Sequence, residues 1–245
     1  MRRVVLLLMM LATPASAQFK TETGVPAEQV TDSTSNALNP VHGRPAIISI
    51  KELADFEILP AERKRLIEVA IAVATQSPWL PYLYGGADPA LGGLDCSGAM
   101  YYVLNRAGLT PPRTASAQYH WVDGHQRLHL VAEGADTTEH PSLRWLKPGD
   151  LIFWSTGNNT VPGEIVIITH VAMYLGRETR DSRKIMINST DGRSYRGIQS
   201  NGYGIYDFKM PAKGSKSKLI GYGTPPGIPE SRRTPYGVHS HHTPK

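Results

Sequence analysis

The sequence predicts an α+β domain in which helices from the earlier part of the chain pack on an antiparallel sheet formed by the later part. Two patterns lead there. Between residues 60 and 108 apolar side chains recur at helical spacing, whereas beyond residue 150 they form short runs and alternations bounded by Gly, Asn, Asp and Ser. Helices thus precede strands, without the strand–helix alternation that a parallel sheet requires. A chain of 245 residues also has room for one sizeable domain plus extensions.

In chain order, Arg2 and Arg3 precede an apolar run from Val4 to Ala12 and then Ala15-Ser16-Ala17. This is the charged start, short apolar centre and small-residue cleavage site of a secretory signal peptide over residues 1–17. The run is shorter than the roughly 20 residues that span a bilayer, and no cysteine follows it to carry a lipid. A secreted or periplasmic protein without a stable membrane anchor is expected. Residues 18–59 are expected to form a polar leader or linker, most plainly up to residue 45, where no apolar period is present. From Pro60 to Gln76 the apolar positions Leu66, Ile67, Ala70, Ile71, Val73 and Ala74 predict an amphipathic helix, which Pro78 and Pro81 end. A second helix is predicted from Cys96, with Asp95 as N-cap and Gly108 as stop. After a loop-rich stretch from Asp123 to Ser142, strands are predicted at 151–154, 165–175, 185–188, 204–208 and 218–222. The domain is placed at 60–223. Residues 224–245, with five prolines among Gly, Ser and His, are expected to be a disordered tail.

The formal net charge of +5 is concentrated at the ends, at Arg2, Arg3, Arg232, Arg233 and Lys245, and no basic stripe with interleaved aromatics runs through the body, so a nucleic-acid partner is excluded. His239, His241 and His242 lack a second cluster with metal-ligand spacing, and neither metal nor cofactor is expected. The single cysteine is the most informative residue. In an exported protein an unpaired thiol is either buried filler or a retained reactive group.

Asp95-Cys96-Ser97-Gly98 places that thiol in the first turn of a helix, where unpaired N–H groups and the helix dipole favour an anion and are expected to lower its pKa. Ser97 and Gly98 leave room for a substrate. A thiol that attacks an amide also needs an acid to protonate the leaving amine. Of the nine histidines, His170 alone lies in a strand pattern, alternating with Val171, Met173 and Leu175, and is therefore held rigidly; it reads equally as a satisfied histidine on a sheet surface. Asn188, at the end of Ile185-Met186-Ile187, is the candidate to orient the imidazole, although Asn followed by Ser189, Thr190, Asp191 and Gly192 also reads as a turn.

Five motifs then occur in order: Tyr82-Leu83-Tyr84-Gly85-Gly86; Leu94-Asp95-Cys96-Ser97-Gly98; Pro112-Arg113-Thr114-Ala115 with Gln118; Leu146-Lys147-Pro148-Gly149-Asp150-Leu151-Ile152-Phe153; and His170-Val171-Ala172-Met173-Tyr174-Leu175-Gly176. Together they resemble the NlpC/P60 family of cell-wall cysteine peptidases. The resemblance implies a papain-like α+β fold, Cys96 as nucleophile, His170 as base, Asn188 as third polar residue, and Tyr82 near the thiol, with Ser97 at the helix start beside the oxyanion. It also implies a monomer acting on peptidoglycan stem peptides, often between D-glutamate and a diamino acid, while a thiol amidase or acyltransferase and a non-catalytic wall-binding module remain as alternatives. Three departures stand out: Asn188 where many members have histidine, and longer segments at 119–144 and 155–169, both expected as loops around the cleft.

Overall fold

The structure is a computed structural model that describes residues 43–77, 79–157 and 167–230. The signal-like segment 1–17, most of the leader and the tail from residue 231 lie outside the described residues, as does 158–166 within the second long segment.

Helix α1 (Ala61–Gln76) buries Leu66, Ile67, Ala70, Ile71, Val73 and Ala74, the stripe that its periodicity marks. A two-stranded antiparallel ribbon, β1 (Ala87–Asp88) and β2 (Gly93–Leu94), leads to α2 (Cys96–Arg106). The Asp95 side chain caps α2 by accepting from the Gly98 N–H at 2.6 Å. A third helix, α3 (Ala115–Gly124), starts at Thr114, whose hydroxyl accepts from the Ala117 N–H at 3.2 Å. Its periodicity is masked because a polar residue, Gln118, occupies its buried face. Gln118 is tolerated there because its Nε2 donates to the carbonyls of Ser97 and Pro112, each at 3.0 Å.

Strands β3 (Leu128–Leu130), β4 (Leu151–Thr156), β5 (His170–Arg177), β6 (Lys184–Tyr195), β7 (Ile198–Asp207) and β8 (Ser217–Gly223) form one antiparallel sheet in the order β3-β8-β4-β5-β6-β7. Leu151, Phe153, Val171, Met173, Ile185 and Ile187 point to the helices and join Leu66, Ala70, Met100 and Val103 in the main core. Ile152, Trp154, Ala172, Tyr174, Met186 and Tyr222 point the other way, into a second cluster closed by Leu143 and Leu146. With both faces covered, the central strands read as nearly continuous apolar runs.

Arg63, 1 % exposed, fastens α1 to the sheet. It donates to the Pro148 carbonyl at 2.6 Å, to Asp150 at 2.9 Å and to the Thr224 hydroxyl at 2.7 Å. Thr224 and Ile228 are buried, so the ordered chain continues past 223, where a disordered tail was expected to begin. The leader boundary also shifts. Ile48, Leu53, Phe56 and Leu59 are buried, and Ala46 bridges to Ile205 of β7. These residues sit in bridges and short 3-10 turns at 50–52 and 56–58, which carry neither a helical nor a strand period. Similarly, segment 119–144 is not a cleft loop. It supplies the end of α3, the edge strand β3 and Leu143 of the far-side cluster.

Candidate active site

The start of α2 is fixed by one arginine. Arg113 Nη2 donates to Asp95 Oδ2 at 2.7 Å and to the carbonyls of Gly85 and Gly86 at 2.9 and 3.1 Å. Its Nη1 reaches Asp95 Oδ1 at 3.1 Å and the Ser97 hydroxyl at 3.0 Å. The Gly85 N–H also donates to Asp95, at 3.0 Å. Burial opposes ionisation of Asp95, but the bonds from Arg113 and Gly98 outweigh it and hold the carboxyl below its usual pKa. Gly98 is required where α2 meets the Gly86 carbonyl, since a Cβ would collide with that oxygen.

Cys96 is 6 % exposed, and its thiol lies 3.9 Å from the carbonyl of Thr169, the residue before His170. The sequence reading expects the helix start to lower the thiol pKa; the structure reverses the net direction. Burial pushes the thiol up and the charge of Asp95 adds to it, against the opposing pull of the N–H groups of Val171, Ser97 and Cys96 itself.

His170 opens β5, half-buried, with its ring 5.4 Å from that of Trp154. Asn188 Nδ2 lies 2.6 Å from His170 Nε2, and its fully buried Oδ1 has no hydrogen-bond partner among the described residues. Burial and then the charge of Arg193 hold the His170 pKa well below the usual imidazole value. Tyr82 runs beside Leu94, and its N–H donates to Asn201 Oδ1 at 2.9 Å. Burial, followed by the charges of Cys96 and Asp95, pushes its phenol up to about 12, so the hydroxyl remains a donor at neutral pH.

Cys96, His170, Asn188 and Tyr82 therefore converge. Ser97 stands at the same helix start, but its hydroxyl donates to Asp95 at 3.1 Å and accepts from Arg113, which commits it to the cap. Among the described residues no group of three His, Cys, Asp or Glu could hold a metal, and no helix is long and apolar enough to cross a membrane.

Sequence reasoning missed Arg193. It treated 188–192 as the start of a turn, whereas β6 continues through a bulge at Gly192, whose φ is +89°. Beyond the bulge Arg193 pairs with Ser200, and its guanidinium carbon lies 4.6 Å from the Trp154 ring centroid.

Residues 79–208 match the model of the NlpC/P60 family. The chain belongs to the NlpC/P60 family. This is a family of cysteine-type hydrolases, and the α+β arrangement expected from the motifs is the one found. Among curated relatives, the probable endopeptidase p60 of Listeria monocytogenes is 34% identical over 137 residues, 56% of this chain and 22% of that protein. The bifunctional muramidase/DL-endopeptidase CwlT of Bacillus subtilis is 35% identical over 121 residues, 49% of this chain and 28% of that protein. This NlpC/P60 chain thus spans about a quarter of the length of those relatives. The solved P60 domain of an antigen from M. avium subspecies paratuberculosis aligns with 67% of this chain and 97% of its own, at 20% identity and a TM-score of 0.39.

Proposed function

We propose that the domain is an exported cysteine peptidase that cleaves an amide bond in peptidoglycan stem peptides. The observation that carries this reading is the Asn188–His170 contact beside Cys96 at a capped helix start. His170 Nδ1 takes the Cys96 proton as the sulfur attacks the amide carbonyl. The C–N bond then breaks as the imidazolium returns that proton to the leaving amine, and water hydrolyses the thioester to release the acid and restore the thiol. Tyr82 and the N–H at the start of α2 donate to the tetrahedral oxyanion.

In the resting site both pKa shifts favour a neutral thiol beside a neutral imidazole, so proton transfer accompanies attack. Such a base must offer an unprotonated Nδ1 and keep its proton on Nε2. With the Asn188 amide turned end for end, Oδ1 accepts that Nε2 proton and gains the partner it lacks.

Two relatives from Bacillus subtilis, a DL-endopeptidase and a gamma-DL-glutamyl hydrolase, support a bond on the γ-carboxyl side of D-glutamate; a diamino acid on its other side is what the motif resemblance implies. The signal-like residues 1–17 support action outside the cytoplasm.

The test is to incubate the protein with purified wall fragments and identify products by mass spectrometry. Release of a new amine and a free γ-carboxyl, lost in Cys96→Ala, is the expected result. Equal cutting by Cys96→Ala, or no release by the wild type, would sink the reading. A transfer product formed with an added amine would favour an acyltransferase instead.

A further inference from the structure

Arg193 is a half-buried cation with no ion-pair or hydrogen-bond partner among the described residues. Half-buried arginines elsewhere in the domain are spoken for: Arg113 by Asp95, Arg127 by the carbonyls of Pro225 and Ile228, Arg177 by Asp55, Arg183 by Asp207 and Arg196 by Glu178 and Asp181. A buried charge normally acquires a counter-charge, because desolvation disfavours it otherwise. Here the guanidinium only lies over Trp154, whose other neighbour is the His170 ring. Its position is built rather than incidental, since the Gly192 bulge displaces β6 by one residue just before it. Burial lowers its pKa to about 10, so it is charged at neutral pH, and its charge acts on both Cys96 and His170.

We infer that Arg193 is a specificity-determining residue that binds a carboxylate of the substrate immediately beside the scissile amide. A guanidinium offers two parallel N–H donors matched to a carboxylate, and Trp154 holds its plane. The inference deepens the proposed function and rests on it for the identity of the ligand: a γ-linked glutamate retains a free α-carboxylate a few bonds from the carbonyl that Cys96 would attack. Carboxylate binding there would also offset the Arg193 charge, which adds to burial in disfavouring the imidazolium, and so make the imidazolium that protonates the leaving amine easier to form.

The experiment uses the single thiol as its own reporter. Cys96 is alkylated with iodoacetate, which bears a carboxylate, and with its neutral analogue iodoacetamide; in each case the S–C bond forms, iodide leaves and the thiol proton goes to buffer. The ratio of the two rates cancels any change in thiolate population. Arg193→Met, which keeps an apolar stem over Trp154, is expected to lower the iodoacetate-to-iodoacetamide ratio by about ten- to a hundredfold, with Arg193→Lys between. The ratio for wild type should also fall with added salt.

A second arm compares wall fragments carrying D-glutamate with fragments amidated at its α-carboxyl. Arg193→Met should lower kcat/KM on the former far more than on the latter. An unchanged alkylation ratio, or failure of both reagents to reach Cys96 in the folded protein, overturns the inference. Absence of cleavage together with a ratio that collapses in Arg193→Met overturns the peptidase reading and leaves the anion site standing. Should Arg193→Met fail to fold, Arg193→Lys decides through the same ratio.

Discussion

Arg113, bonded to both chain neighbours of Cys96, and Arg193, whose charge acts on its thiol, are surrounded by the chain very differently. Arg113 meets a carboxylate, a hydroxyl and two main-chain carbonyls, so both of its terminal nitrogens serve to hold the start of α2 against the Gly85-Gly86 turn. Arg193 meets an indole face and, among the described residues, no counter-charge. The first arginine is therefore part of the scaffold, and its charge is neutralised before any substrate arrives. The second keeps its charge available. Two residues of the same type, both half-buried, thus divide the work of the site between building it and receiving a ligand.

The comparison breaks first on stability. Arg113→Met would strand the Asp95 carboxylate, 10% exposed, together with the carbonyls of Gly85 and Gly86. A loss of about 3 kcal/mol in urea unfolding is expected, whereas Arg193→Met should stay within about 0.5 kcal/mol. A loss below about 1 kcal/mol for Arg113→Met would show that the two arginines do not differ in this way.

Asp95 sharpens the same point through pH. Its folded pKa lies below the unfolded value, so its contribution is present above the unfolded pKa and is lost as pH falls through the folded one. Asp95→Asn should cost about 1–2 kcal/mol at pH 7, since it weakens both the cap and the ion pair. The difference from wild type should shrink as pH falls through the carboxylate range. A gap that stays constant in unfolding curves taken from pH 7 down to pH 3 would contradict the assignment.

The two arginines also differ in how far they were legible. Arg113 lies in a motif quoted from the sequence, although its partners became visible only when Gly85, Gly86 and Asp95 were brought together. Cys96 and α2 were readable because N-cap, helical stripe and glycine stop agree locally. His170 was readable because it sits in strand alternation. Arg193 was not, because Asn-Ser-Thr-Asp-Gly carries turn chemistry, and only pairing with the long strand β7 converts it into a bulged strand. The hairpin that closes this pair turns at Arg196-Gly197, with φ of 52° and 84°. There the left-handed arginine is held by Glu178 and Asp181, partners distant in sequence. For the same reason the thiol pKa was misjudged: the helix start is local, but burial and the charge of Asp95 are set by the assembled site.

On turnover, Asn188→Ala removes the partner proposed to orient the imidazole, and a roughly tenfold fall in kcat is expected for the loss of one buried hydrogen bond of about 1–2 kcal/mol. A defect confined to stability would leave the pH profile of the folded variant unmoved; loss of an orienting partner shifts its acid limb. Asn188→His should restore most of the rate, since an imidazole can also accept from Nε2–H.

The smallest effect comes from Arg193 acting at a distance. The His170 ring faces Trp154 and Asn188, with the titratable Cys96 and the charge of Arg193 close by. Only the neutral imidazole can accept the thiol proton, so kcat/KM falls as pH drops through the His170 pKa, which lies below the usual imidazole range. Removing the positive charge in Arg193→Met raises that pKa and must move the acid limb to higher pH. Arg113→Lys, whose charge remains paired with Asp95, should leave the limb in place. Measured on a substrate without a carboxylate, the shift isolates the charge of Arg193 from its binding of substrate. Equal movement in both variants would mean that the imidazole senses the general disturbance of the site, and the division of labour between the two arginines would fall.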